Sequence, residues 1–216
     1  MKLDEKEILR YLGYGGKQPD PVLHEMVLSC VKELDQVATP RSIFRLFPVT
    51  FGKNAVRLGN ITVEGQDLRQ HIRECGEAVL FAATLGAQAD VLLERYSRID
   101  MTRATVLQAA SAAMIESYCD EKEKEISAQA SARGLFLRPR YSPGYGDFSI
   151  RLQKDILNTL DCPKRIGLSM TESFMLVPTK SVTAVIGLTS DPTGCHIAKC
   201  MGCNDGTCPF RKECDE

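Results

Sequence analysis

The segment from Met101 to Ala132 contains neither glycine nor proline and stops at Gly134, a residue suited to the left-handed turn that ends a helix. One long helix is therefore predicted there, and the segments around it are of a different kind. Residues 3–12 and 21–37 read as helices. In the second, Val22, Leu23, Met26, Val27, Cys30, Val31 and Leu34 recur at helical spacing behind an Asp20-Pro21 start. Ile43–Thr50 is β-branched and aromatic enough for a strand, and 55–63 reads as a hairpin around Gly59-Asn60. A short helix over Asp67–Cys75, a buried strand over Ala78–Leu85 and a helix over Ala87–Tyr96 precede the long one. After it, Leu135–Arg138 runs extended and Ser149–Leu160 is helical. Ile166–Met170, Phe174–Val177 and Ser181–Leu188 read as strands. Strands fall in two groups and do not alternate strictly with helices, so the expected class is α+β.

Composition narrows the function classes. The 216 residues suit one compact domain with room for a small appendage. A net charge of -1 and the lack of any Lys/Arg-rich run argue against nucleic acid or an anionic membrane as partner. The opening MKLDEKEILR has no apolar core and does not read as a secretory leader. Ala104–Ile115, the longest apolar-rich stretch, is too short to cross a bilayer. Cys30, Cys75 and Cys119 sit in helical or apolar settings that fit reduced thiols, so a cytoplasmic setting is expected.

Two blocks carry the chemistry. The first is Arg140-Tyr-Ser-Pro-Gly-Tyr145, and the second is Leu168-Ser-Met-Thr-Glu-Ser-Phe174, followed by Pro178 and Ser181-Val182. A guanidinium forks a carboxylate bidentately. Gly144 allows backbone to approach a ligand, and Tyr145 offers a flat face with a hydroxyl tip. A Pro-Gly pair by itself says only that the chain turns.

Taken together, these blocks resemble the activation domain of cobalamin-dependent methionine synthase. The likeness is clearest from about Asp100 to Leu188. Tyr11-Leu-Gly-Tyr-Gly-Gly16 and Ala83-Thr-Leu-Gly86 extend it toward stand-alone members of that family. The resemblance implies a central antiparallel sheet with long helices packed on it, over residues 1–189. It implies a site for S-adenosylmethionine in which Arg140 receives the amino-acid carboxylate while Ser142, Gly144 and Tyr145 wrap the ligand. Glu116 on the long helix faces the ligand in the same scheme, and Asp120 lies four residues on, on the same helix face. Glu172, inside Thr-Glu-Ser-Phe, is a further signature residue that orients the Pro-Gly-Tyr turn. Ser190-Asp-Pro-Thr-Gly-Cys195 has none of the aromatics the family carries after its last signature strand, which leaves the adenosine side to another segment.

Residues 190–216 form a Cys-rich tail. Cys195-x4-Cys200-x2-Cys203-x4-Cys208 has short spacings suited to four thiolates on one Zn²⁺ or an iron–sulfur cluster, with His196 a spare ligand. No Asp-x-His-x-x-Gly segment is present to ligate cobalamin, so the corrinoid is expected on a partner protein. Gly13-Tyr-Gly-Gly-Lys17 lacks the spacing of a phosphate loop, and the three histidines neighbour no suggestive nucleophile. The expected function is reductive reactivation of a cobalamin-dependent methyltransferase, most simply methionine synthase, with a flavodoxin or ferredoxin as electron donor. The alternative is an iron–sulfur or zinc redox or docking module for a corrinoid protein, without methyl transfer of its own.

Overall fold

A computed structural model describes residues 3–14 and 19–193. Residues 15–18 and the chain from Gly194 onward, including Cys195, Cys200, Cys203 and Cys208, lie outside the described residues. In chain order the elements are α1 (Glu5–Tyr11), α2 (Pro21–Val37), β1 (Arg41–Phe51), β2 (Ala55–Leu58), β3 (Ile61–Glu64), α3 (Asp67–His71), β4 (Glu77–Thr84), α4 (Ala87–Ile99) and α5 (Met101–Ser131). There follow β5 (Phe136–Leu137), a 3-10 turn at Ile150–Leu152, α6 (Gln153–Thr159), α7 (Cys162–Ile166), β6 (Ser169–Met170), β7 (Leu176–Val177) and β8 (Ser181–Thr189).

Six strands make one antiparallel sheet in the order β3-β2-β1-β4-β8-β5, and β6-β7 is a separate two-stranded hairpin. β4 lies near the middle and is buried from Ala78 to Thr84, which is why its sequence is apolar throughout and does not alternate. Its side chains serve two cores. Val79, Phe81 and Ala83, with Ala184 and Ile186 of β8, meet α2, α4 and α5. Ala78, Leu80 and Ala82, with Val185, meet β2, β3 and the helices α3, α6 and α7. The α+β class and the sheet with long helices on it are therefore as expected.

Starts and stops explain most boundaries. Asp20 and Asp100 cap α2 and α5 by accepting hydrogen bonds from the N–H groups of Leu23 and Arg103. Arg103 then reaches back to Ser29 and Glu33, binding α5 to α2. The strand expected over 166–170 begins only at Ser169, because Cys162–Ile166 is a helix. Pro163 sits in its first turn and Gly167 ends it in the left-handed region at φ 69°. The helix expected over Asp67–Cys75 ends at His71, and the one over 149–160 opens with a 3-10 turn.

Candidate functional site

Residues 138–141 continue β5 along the edge of β8. Arg138 N–H donates to the Gly187 carbonyl (2.8 Å), and Tyr141 exchanges both backbone bonds with Val185 (2.9 and 2.8 Å). Extended backbone sends successive side chains to opposite faces. Arg140 accordingly turns to the helical face and Tyr141 to the other, so the Arg-x-x-Pro-Gly-Tyr sequence is divided by the sheet edge.

On the helical face, α5 presents Glu116, Asp120 and Glu123, one stripe at four- and three-residue spacing. Arg140 Nη2 lies 3.0 Å from Glu116 and 2.7 Å from Asp120, and its side chain is 3% exposed. Nη1 lies 2.9 Å from Glu123 but is not aligned for a hydrogen bond, so that contact is a charge pair. Burial by itself disfavours the guanidinium charge; Glu123, Glu116 and Asp120 outweigh it and hold the arginine more firmly protonated than usual. Among the described residues, three carboxylates stand against this one guanidinium, a local excess of negative charge. It is accessible, since the Asp120 side chain is half exposed. Beneath it, burial pushes the Cys119 thiol up to about 12, so this cysteine is a packing residue and not a nucleophile.

On the other face the Pro-Gly-Tyr loop is fixed at both ends. Gly144 takes φ 98° and donates its N–H to the Phe148 carbonyl (2.7 Å). Tyr145 N–H donates to the Ser142 carbonyl (3.3 Å), so the half-buried Ser142 contributes through its backbone. Asp147 accepts from the N–H groups of Gln66 (2.6 Å) and Asp67 (3.1 Å), while Asp67 accepts from Asp147 N–H (2.9 Å). Gly146, at φ 53°, lies so close to the Asp67 carboxylate that a Cβ there would collide with it. Beneath the loop Tyr141 stacks between His71 (4.8 Å) and Phe148 (6.1 Å). His71 Nε2–H donates to the Pro139 carbonyl (2.7 Å), and burial lowers the basicity of this imidazole. Tyr145 is left 66% exposed. A cavity of about 520 Å³ lies nearby, lined by Asn54, Ala55, Glu64, Gly65 and Gln66.

Of the six expected ligand residues, the structure brings Arg140 and Glu116 into contact and places Ser142, Gly144 and Tyr145 on the adjoining loop. Glu172 stands apart, exposed at the turn between β6 and β7. That hairpin is tied down from below, where Gln153 donates to the Phe174 carbonyl (3.0 Å) and accepts from Thr183 (3.2 Å). Glu123, His71 and the Asp67–Asp147 pair were not anticipated. Glu123 was legible as the third member of a helix stripe, whereas the aspartate pair spans 80 residues and left no local signal. Among the described residues no group of three His, Cys, Asp or Glu is placed to hold a metal ion. No described helix is long and apolar enough to cross a membrane.

An antiparallel sheet with helices on both faces, one of them long and acidic-striped, and a pinned Pro-Gly-Tyr loop on its edge define an α+β domain with a candidate site at the sheet edge. Residues 73–201 match the family described as vitamin B12 dependent methionine synthase, activation domain. The chain belongs to that family. Among solved structures it is similar to one described as the MetH reactivation domain bound to AdoHcy, with a TM-score of 0.62 and 14% identity. That alignment covers 86% of this chain and 76% of the other, and it shows a shared fold. No curated protein matches the chain.

Proposed function

We propose that this chain binds S-adenosylmethionine along the edge formed by residues 138–149 and presents its methyl group to a corrinoid cobalt held by a partner. The partner is a cobalamin-dependent methionine synthase without an activation domain of its own, or a related corrinoid protein. The observation carrying this reading is the buried Arg140 with its accessible acidic surplus, set beside a pinned loop that leaves one tyrosine exposed. The donor set fits the ligand. A zwitterionic amino-acid end with a sulfonium carries two positive charges and one negative, and the cluster offers one guanidinium among three carboxylates.

Arg140 is already engaged, so accepting the ligand carboxylate means exchanging a partner. Asp120, the most exposed of the three, is the one to yield, and its freed carboxylate then faces the ligand's α-ammonium. Gly144 and Tyr145 hold the nucleoside side, and the cavity by Gly65 and Gln66 takes the place of the aromatics missing after β8. When bound, S-adenosylmethionine supplies a methyl group to cobalt that has taken up one electron, leaving S-adenosylhomocysteine; a flavodoxin or ferredoxin supplies the electron. The protein's own part is to position the ligand and exclude water.

Calorimetric titration with S-adenosylmethionine tests the reading, beside Tyr145→Ala, which alters an exposed side chain, and Arg140→Ala. Heat is expected from the parent, with a tenfold or greater affinity loss in the folded Tyr145→Ala protein. A flat trace from the folded parent removes the proposal.

For domain organisation, the reading takes 1–189 as the ligand-binding unit and 190–216 as an appendage, although the family match runs on to residue 201. Arg138 donates to the Thr193 carbonyl, so the end of the described chain lies beside the strand segment that carries Arg140. Binding of zinc or an iron–sulfur cluster by Cys195, Cys200, Cys203 and Cys208 is proposed on their spacing. Elemental analysis of protein purified without oxygen is expected to find about one equivalent of zinc, or iron with sulfide. Neither metal at that level discards the tail site and, with it, the redox alternative.

A further inference from the structure

The strand β1 is longer than its outer neighbour. β2 pairs only with Val49–Phe51, while β4 pairs with Arg41–Pro48 on the other side. Val49 N–H donates inward to Gly76, and Gly52 N–H donates outward to Ala55, so odd residues of β1 face β4 and even ones face away. The N–H and C=O groups of Ser42, Phe44 and Leu46 therefore line an open edge, and none has a backbone partner among the described residues. At the next outward position Pro48 has no N–H to offer, which ends the edge.

This edge is the floor of a slot. Its walls are α5 on one side, through Tyr118, Lys122 and Glu125, and α7 on the other, through Arg165 and Ile166. They enclose a cavity of about 480 Å³ with Arg41–Phe44 at its base. Ser42 and Tyr118 share a hydroxyl contact at 3.2 Å across it. Among the described residues, three cations and one carboxylate line the cavity, Arg41, Lys122 and Arg165 against Glu125, an excess of two positive charges in a chain of net charge -1. Glu125 is taken up by Lys122 at 2.5 Å. The side chains of Arg41, Arg45 and Arg165 make no ion pair or hydrogen bond among the described residues.

Charged residues on an edge strand commonly guard it against other strands. Guarding does not account for this arrangement, because Arg165 and Lys122 come from two different helices and converge from above and below on a concave space. We propose that the slot receives an extended, acidic stretch of a partner polypeptide, which adds a strand to β1 and sets its carboxylates against Arg41, Arg45 and Arg165. Backbone pairing with Ser42, Phe44 and Leu46 supplies affinity, and the arginines select the charge. A second copy of this chain is the poorer occupant, since β1 paired with itself brings Arg41 and Arg45 against their own kind.

The test uses the full chain and fluorescence anisotropy with a labelled, end-capped octapeptide alternating Glu and Val. Three controls accompany it: the same peptide N-methylated on alternate residues in either register, and a Lys/Val counterpart. The Glu/Val peptide is expected to bind, with one N-methylated register weakened about tenfold or more, because it loses hydrogen bonds while keeping every charge. The Lys/Val peptide is expected not to bind, and Arg41→Glu with Arg165→Glu, both exposed positions, to abolish binding without changing the melting temperature or the heat of S-adenosylmethionine binding. Equal affinity for both methylated registers and the parent shows attraction by charge alone and overturns the proposal. So does absence of binding, and so does concentration-dependent self-association that the arginine variants dissolve.

Discussion

The two faces of the sheet edge hold acidic groups by different means. On the helical face, Glu116, Asp120 and Glu123 converge on one buried guanidinium. On the opposite face, Asp67 and Asp147 depend on peptide N–H groups, each capping the backbone of the other's segment. The first arrangement concentrates three carboxylates on a single cation, so a competing anion can exchange with one of them. The second has no mobile counter-ion and leaves nothing to exchange, which suits a loop that must keep its shape. A site that grips a charged ligand on one side and a nucleoside on the other has a use for both.

Breaking the guanidinium is the harshest test of this contrast. Arg140→Ala leaves three carboxylates facing one another over a cavity, and a loss of roughly 3–5 kcal/mol in denaturant unfolding is expected. Adding Asp120→Asn should recover part of it, whereas Asp147→Asn should recover none. Removing a backbone-held carboxylate costs less. Asp147→Ala gives up two capping hydrogen bonds, and about 1–2 kcal/mol is expected, together with faster amide exchange at Gln66 and Asp67. Gly146→Ala should cost a similar roughly 1–2 kcal/mol through its left-handed φ and the nearby Asp67 carboxylate.

Acid sharpens the comparison further. His71 is less basic in the folded protein than when unfolded, so unfolding takes up a proton. Its contribution is full above the unfolded imidazole value of about 6.5 and is lost as pH falls through the lowered folded value. Urea midpoints of the parent should decline over that window, and those of His71→Gln should decline less. Tyr145→Ala is the smallest expected change in stability, within about 0.5 kcal/mol because the side chain is mostly exposed, even though ligand affinity falls.

Much of the fold was legible because its signals are local. Asp20-Pro21 and Asp100 start helices, Gly134 follows the long one, and Gly59-Asn60 turns the β2–β3 hairpin. The strand expected over 166–170 starts only at Ser169, and the short helix at Cys162–Ile166 before it was not read, although Pro163 and Gly167 mark its two ends. Apolar character alone does not distinguish five helical residues from five extended ones. Legibility of the site was uneven in the same way. Glu116 and Asp120 share a helix face by spacing, and their contact with Arg140 completes that stripe.

By itself the sequence determined most of the helices and strands, the signature blocks and the family they belong to, because each rests on residues a few positions apart. Only the tertiary structure decided that Arg140 and Tyr145, five residues apart, serve opposite faces of one sheet, since that follows from pairing with Val185. It also decided that Asp147 closes on Asp67 and that β1 outruns β2, leaving an open edge between two helices. The reason is common to all three: strand register and long-range hydrogen bonds are settled by which surfaces meet, and no neighbouring residue records that choice.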